Sequence, residues 1–176
     1  MMVLRLRTGF AALLLLLTAC ADTGPKPPAG LAVTWSRYTG TWYELARFDH
    51  SFERDLVGVT ATYRALGDDR IEVINAGHRT TLDGPRKEAR ASAVVTGPAS
   101  LSVTFFWPFS GDYRVLALDP DYRWAVVGSS STDYLWFLHR APQASPADWE
   151  AMNHAATAAG LDLTHLIRVA QPTTAP

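Results

Sequence analysis

From Trp42 onward the chain is a succession of short segments rich in aromatic and β-branched residues, separated by turn signals. The signals are Gly67-Asp68-Asp69, Asp83-Gly84-Pro85, Gly97-Pro98, Ser110-Gly111-Asp112 and Asp119-Pro120-Asp121. Punctuation at this spacing predicts an antiparallel meander, with strands near 42–49, 57–65, 70–76, 87–96, 100–107, 112–118, 123–128 and 134–140. Eight is the number at which a sheet closes into a barrel with room for its own side chains or one small ligand. The fold class is therefore all-β: an eight-stranded antiparallel up-and-down barrel with one helix packed outside. In Leu101-Ser102-Val103-Thr104-Phe105 the odd positions are apolar and the even ones polar, so one face is buried and the other wet. Tyr113, Val115 and Ala117 alternate in the same way against Arg114, Leu116 and Leu118. There both faces are partly apolar, as expected if the helix covers the outer one.

The pattern then changes period. Ser145 suits an N-cap, Pro146 the first helical position, and Asp148 completes a capping-box spacing. Trp149, Met152, Ala156 and Ala159 follow at intervals of three and four, an apolar stripe for the barrel wall, and Gly160 supplies the stop. Leu161–Val169 offers a short apolar segment able to return to the wall, and the chain from Gln171 reads as a loose tail.

The first twenty residues belong to a different kind of pattern. Arg5 and Arg7 precede an apolar run containing five consecutive leucines, and Leu17-Thr18-Ala19-Cys20 follows. The run is too short to span a bilayer, for which roughly 20 residues are needed, and the order is that of a secretion signal. Leu-Thr-Ala-Cys resembles a lipobox, which makes residues 1–19 a lipoprotein signal peptide and Cys20 a diacylglycerol-modified amino terminus. Ala21 rather than Asp follows the cysteine, which by likeness to other bacterial lipoproteins implies sorting to the outer membrane, on its periplasmic face. Residues 20–31, with Pro25, Pro27 and Pro28, read as a lipidated tether and semi-rigid spacer that lifts the domain off the membrane. Residues 32–172 form one domain and 173–176 a tail. Removing the signal takes the net charge from −1 to −3, a balance that excludes a nucleic-acid partner. Cys20 is the one cysteine, so no disulfide staples the fold.

Gly40-Thr41-Trp42-Tyr43, just before the first strand, resembles the first signature of the lipocalins. Thr132-Asp133-Tyr134 and Arg140 are similar to the second and third, in the right order. The wider stretches 38–56, 105–118 and 133–142 resemble the bacterial outer-membrane lipocalins and, more distantly, apolipoprotein D. Trp124 departs from that pattern, at a place where bulk is expected to narrow a cavity. The resemblance implies that Trp42 plugs the closed end of the barrel, that Arg140 lies across its indole, and that Gly40 belongs to the same closure.

A barrel floored by a tryptophan and open at the other end is a cup for a hydrophobic ligand. The inward set expected to line it is Phe105, Tyr113, Val115, Trp136 and Leu138, with Val59, Tyr63, Ile71 and Val73 from earlier strands. A fatty acid or lysophospholipid is the ligand that the resemblance implies, stored or carried in membrane maintenance or stress. Arg79, Arg86, Lys87 and Arg114 are candidate partners for an acidic headgroup. The segment Phe105-Phe106-Trp107-Pro108-Phe109 is expected to be partly exposed, for contact with a membrane or with a second barrel in a homodimer. Catalysis finds little support: the histidines at 50, 78, 139, 154 and 165 have no metal-ligand spacing, and no Gly-x-Ser-x-Gly elbow occurs. Asp49-His50-Ser51 holds three triad residue types, but strand neighbours point to opposite faces. No cofactor or metal is expected; the alternative is an enzyme or haem-binding protein using the same cavity.

Overall fold

A computed structural model describes residues 22–67 and 69–174 of the chain; the signal peptide and Cys20 lie outside the described residues. After a single helical turn, α1 (Trp35–Tyr38), come eight strands: β1 (Gly40–Arg47), β2 (Leu56–Gly67), β3 (Arg70–Arg79), β4 (Arg86–Gly97), β5 (Ser100–Phe106), β6 (Phe109–Leu118), β7 (Trp124–Gly128) and β8 (Leu135–His139). Each pairs antiparallel with the next, β8 pairs with β1, and β1 pairs with β2, which closes the ring. Helix α2 (Pro146–Ala158) packs outside, and β9 (Ile167–Arg168) returns to the end of β1. β1–β2 pairing runs only from Gly40 to Tyr43. Beyond it Gln171, expected to begin a loose tail, donates to the carbonyls of Glu44 and Val59, both at 2.8 Å.

Two apolar clusters divide the packing. One fills the lower barrel around Tyr38, Trp42, Leu101, Val115 and Val127; the other lies between the wall and α2, where Met152 and Ala156 meet Leu45, Leu116, Val126 and Phe137. A register shift between Val115 and Ala117 reverses the alternation at the end of β6. Leu118 therefore joins the inner cluster and Ala117 the outer one, the opposite of strict alternation. Trp124 sits in the outer cluster, under the helix, and so does not narrow the cavity.

Two local expectations change form. Ser145 caps α2, its Oγ accepting from Asp148 N at 3.1 Å, but the Asp148 carboxylate accepts from Ser145 Oγ and faces Arg123 and His139 instead of closing a capping box. The expected turn at Ser110-Gly111-Asp112 is strand: Phe106 pairs with Phe109, so the reversal falls at Trp107-Pro108 and Gly111 lies opposite Val103. Pro108 has no N–H for the ladder, which is why the strand stops there.

The spacer is also different from expectation. Residues 22–33 run along the barrel wall: Arg114 holds Asp22 at 2.7 Å and the carbonyl of Pro25 at 3.2 Å, and Val33 N donates to Pro98 O at 2.7 Å. Gly24 presses so closely on Ser130 that a Cβ there would stand 2.2 Å from its carbonyl carbon.

Candidate functional site: an open cup with an acidic wall

The closed end is built from the first signature. Trp42 is fully buried, donates from Nε1 to Tyr38 O at 2.8 Å, and carries the Arg140 guanidinium 3.9 Å above its ring. Arg140 also donates to the carbonyls of Thr41 and Arg37 at 3.0 and 2.9 Å, which ties α1 to β1 and β8. Gly40 has φ +93°, and a Cβ there would lie 3.2 Å from Arg140 Nη1. The positive φ favours glycine, and a side chain would also crowd the guanidinium.

Above this floor lies a layer of phenols. The hydroxyl of Tyr113 shares hydrogen bonds with those of Tyr38, at 2.7 Å, and Tyr63, at 2.8 Å. Burial pushes all three well up, so they remain neutral at any physiological pH. The cup opens beyond them as a cavity of about 360 Å³, towards the small end of the range for ligand pockets.

Seven of the nine expected ligand residues line it: Val59, Tyr63, Val73, Phe105, Tyr113, Trp136 and Leu138. Ile71 and Val115 face the same interior but are packed into the lower cluster, outside the cavity wall. Sequence reasoning missed the polar part of the wall. Glu44, Glu53 and Asn75 line it, as do Asp112 and Ser129–Ser131 towards the mouth, and no Lys or Arg does so among the described residues. Glu44 lies two residues from Trp42 on the same strand, so alternation alone places it inward. Glu53 and Phe52 come from the β1–β2 loop, where no period exists to read.

The expected headgroup cations are elsewhere. Arg114 points to the outer wall and pairs with Asp22 and Asp112; Arg79, Arg86 and Lys87 are exposed, and Arg86 pairs with Glu88. A different arginine serves the cup from behind. Arg47 is buried, pairs with Glu44 at 2.8 Å and donates to Glu53 O at 2.8 Å, while Trp136 Nε1 donates to the Glu53 carboxylate at 3.0 Å. Burial, with the Glu53 charge beside it, pushes Glu44 well above the usual carboxylate range against the pull of Arg47; burial likewise raises Glu53. One guanidinium therefore faces two buried carboxyls, and the pair retains a proton to higher pH than a free carboxyl.

Carboxyls raised on folding bind more protons in the native than in the unfolded state, so their contribution is complete below the ordinary carboxylate range and is lost as pH rises through the raised values. Glu53→Gln keeps an acceptor for Trp136 and removes the Glu53 share of this loss, together with the push of its charge on Glu44. Its stability relative to the wild type is expected to increase between about pH 5 and pH 8, by about 1.4 kcal/mol for each unit of elevation removed. Urea denaturation at both pH values checks this, and a difference that stays constant contradicts it.

His50 stands at the edge of the cup, its ring 4.7 Å from that of Tyr134 and 5.0 Å from Trp136. Burial, followed by the Arg47 charge, lowers its pKa. Asp49-His50-Ser51 lies after β1 and not within it, so strand alternation does not govern it. Asp49 is nonetheless taken by Arg54 at 2.6 Å, and no hydrogen bond joins it to the imidazole among the described residues.

The model of the Lipocalin-like domain family matches residues 33–171. The chain belongs to the lipocalins. It is 44% identical over 164 residues to the outer membrane lipoprotein Blc of Escherichia coli K12, covering 89% of this chain and 91% of that one. By that likeness this lipocalin is an outer-membrane lipoprotein. It is 34% identical over 133 residues to apolipoprotein D of Bos taurus, covering 69% and 68% of the two chains. Insecticyanin from the tobacco hornworm Manduca sexta shares the fold, with a TM-score of 0.68 at 16% identity over 88% of this chain and 87% of that one. Lipocalins in general bind or transport small hydrophobic molecules.

Proposed function

We propose that this lipocalin is acylated at Cys20, faces the periplasm from the outer membrane, and stores or carries a single-chain lipid in its cup during membrane maintenance or stress. The cup itself carries this reading: an apolar cavity of about 360 Å³, sealed at one end by Trp42 and open at the other. Each methylene of an acyl chain buried there contributes about 0.8 kcal/mol.

The wall also favours one ligand over another. Glu44, Glu53 and the Asn75 Oδ1, which has no hydrogen-bond partner among the described residues, present acceptors to the cavity. A lysophospholipid brings a hydroxyl to donate and can carry a cationic ammonium. A fatty acid brings a carboxylate, which meets two carboxyls and no cation. We therefore place lysophospholipids ahead of fatty acids.

Native mass spectrometry of the refolded domain, titrated in parallel with lysophosphatidylethanolamine and palmitate, tests this. The expected result is one retained lysophospholipid per chain, with weaker retention of palmitate. Retention of neither lipid, together with a Soret band on haem addition that disappears in His50→Ala, would instead indicate a haem protein.

A further inference from the structure

Exposed apolar side chains are unevenly distributed over the barrel. Phe106, Trp107 and Phe109, at the β5–β6 turn, are 80%, 88% and 78% exposed, and Phe52 in the β1–β2 loop is 60% exposed. Phe105 beside them is exposed on one side and lines the cavity on the other, and Leu82 is exposed in the β3–β4 loop. All six lie at the open end. Leu66, Val94 and Ile167 are exposed singly elsewhere, so the large exposed apolar side chains concentrate at this end, which marks a surface that meets something apolar.

The amino-terminal segment indicates what covers it. From α1 at the closed end, residues 33 back to 22 follow the outer wall towards the mouth. Gly24 fastens them there against Ser130 and Ser131, whose loop lines the cavity mouth, and Asp22 pairs with Arg114 midway along β6 on the same wall. Cys20 is two residues from Asp22 and so lies within about 7 Å of it, at the full reach of two extended residues. A spacer free of the domain would allow any orientation; a segment fastened to the rim allows few.

We infer that residues 22–33 act as a strap that holds the lipid anchor at the open rim, so that the mouth of the cup and its Phe106-Trp107-Phe109 tip rest in the interfacial layer of the membrane carrying the anchor. This rests on acylation at Cys20. Aromatic side chains suit the boundary between headgroups and acyl chains. Phe105, next to the tip, and Phe52, in the β1–β2 loop, are exposed and also line the cavity, so they offer apolar side chains to a single-chain lipid passing from bilayer to cup.

The test uses the mature chain purified from membranes. Its mass is measured first: a chain without acyl groups overturns the anchor, and the strap's role with it. The acylated chain is then placed in vesicles of phosphatidylethanolamine and phosphatidylglycerol with brominated acyl chains, and the Trp107 signal is taken as the difference from Trp107→Phe. Quenching is expected to be stronger by shallow than by deep bromines, because interfacial side chains bury only about 5–10 Å below the surface.

Gly24→Leu with Arg114→Ala, which frees the strap but leaves the anchor, is expected to lower that quenching. Phe106→Ser with Trp107→Ser is expected to slow uptake of lysophospholipid from the vesicles on the order of tenfold while leaving affinity for the free lipid unchanged. An acylated chain whose Trp107 is reached by aqueous acrylamide and not by bromine overturns the inference. So does a Trp107 shielded from both in a chain that sediments as a dimer, since a second copy would then cover the tip.

Discussion

Trp42→Ala is expected to remove about 3–5 kcal/mol of stability, the usual cost of deleting a buried large aromatic side chain, and to lower the melting temperature by roughly 10 °C or more in a domain of this size. The loss has several sources. The indole fills the floor at zero exposure, packs 4.7 Å from the ring of Tyr38, carries the Arg140 guanidinium and holds the carbonyl of Tyr38. Removing it leaves a cavity below the tyrosine layer and a half-buried guanidinium without the ring beneath it. Ligand affinity per folded molecule is expected to change little, because Tyr38, Tyr63 and Tyr113 separate Trp42 from the cup. Arg140→Ala should cost less, since the cation–π contact is worth about 0.5–2 kcal/mol. Differential scanning calorimetry of the two variants decides the matter; a Trp42→Ala protein melting within a few degrees of the wild type would show that the indole is not what closes the barrel.

Gly111→Phe is expected to do the reverse, abolishing most ligand binding in a barrel that still melts normally. Gly111 lies opposite Val103 in the β5–β6 ladder, lines the cavity near its mouth, and has open space where a Cβ would stand. Its backbone is not among the positive-φ glycines, so a side chain introduces no backbone strain. A phenyl ring projecting from this position occupies the path of an acyl chain. Displacing three or four methylenes weakens binding roughly a hundredfold, at about 0.8 kcal/mol each. Titration calorimetry with a lysophospholipid below its micellar concentration measures the effect. Unchanged affinity in a stable variant would place the ligand outside the cup.

The eight strands and the capped helix were legible because period-two alternation, turn residues and the Ser145-Pro146 start are local signals. The closed end was legible only through resemblance, since nothing in the spacing of Trp42 and Arg140 says that they meet. What escaped was set by contacts distant in sequence. The turn placed at Ser110-Gly111 moved because Phe106 and Phe109 pair, so that Gly111 serves the cavity as an open position and not the chain as a bend. Trp124 is expected inside and lies outside because it shares the parity of Val126 along β7, the face that the helix covers, while Ala125 and Val127 point inward. The proline-rich segment reads as a spacer by composition, yet Arg114, 92 residues from Asp22, fastens it to the wall. The acidic wall was half legible: Glu44 shares the parity of Trp42, whereas Glu53 is brought in by a loop and by Trp136.

The direct test of the cup as the lipid site is methyl chemical-shift mapping of the folded domain during titration with lysophosphatidylethanolamine. Saturable shifts are predicted for Val59, Val73, Val103 and Leu138, which line the cavity, with little change at Leu45, Leu116, Val126 and Leu161 beneath the helix. Shifts confined to the helix-covered cluster, or to no methyl at all at saturating lipid, would contradict lipid carriage in the barrel.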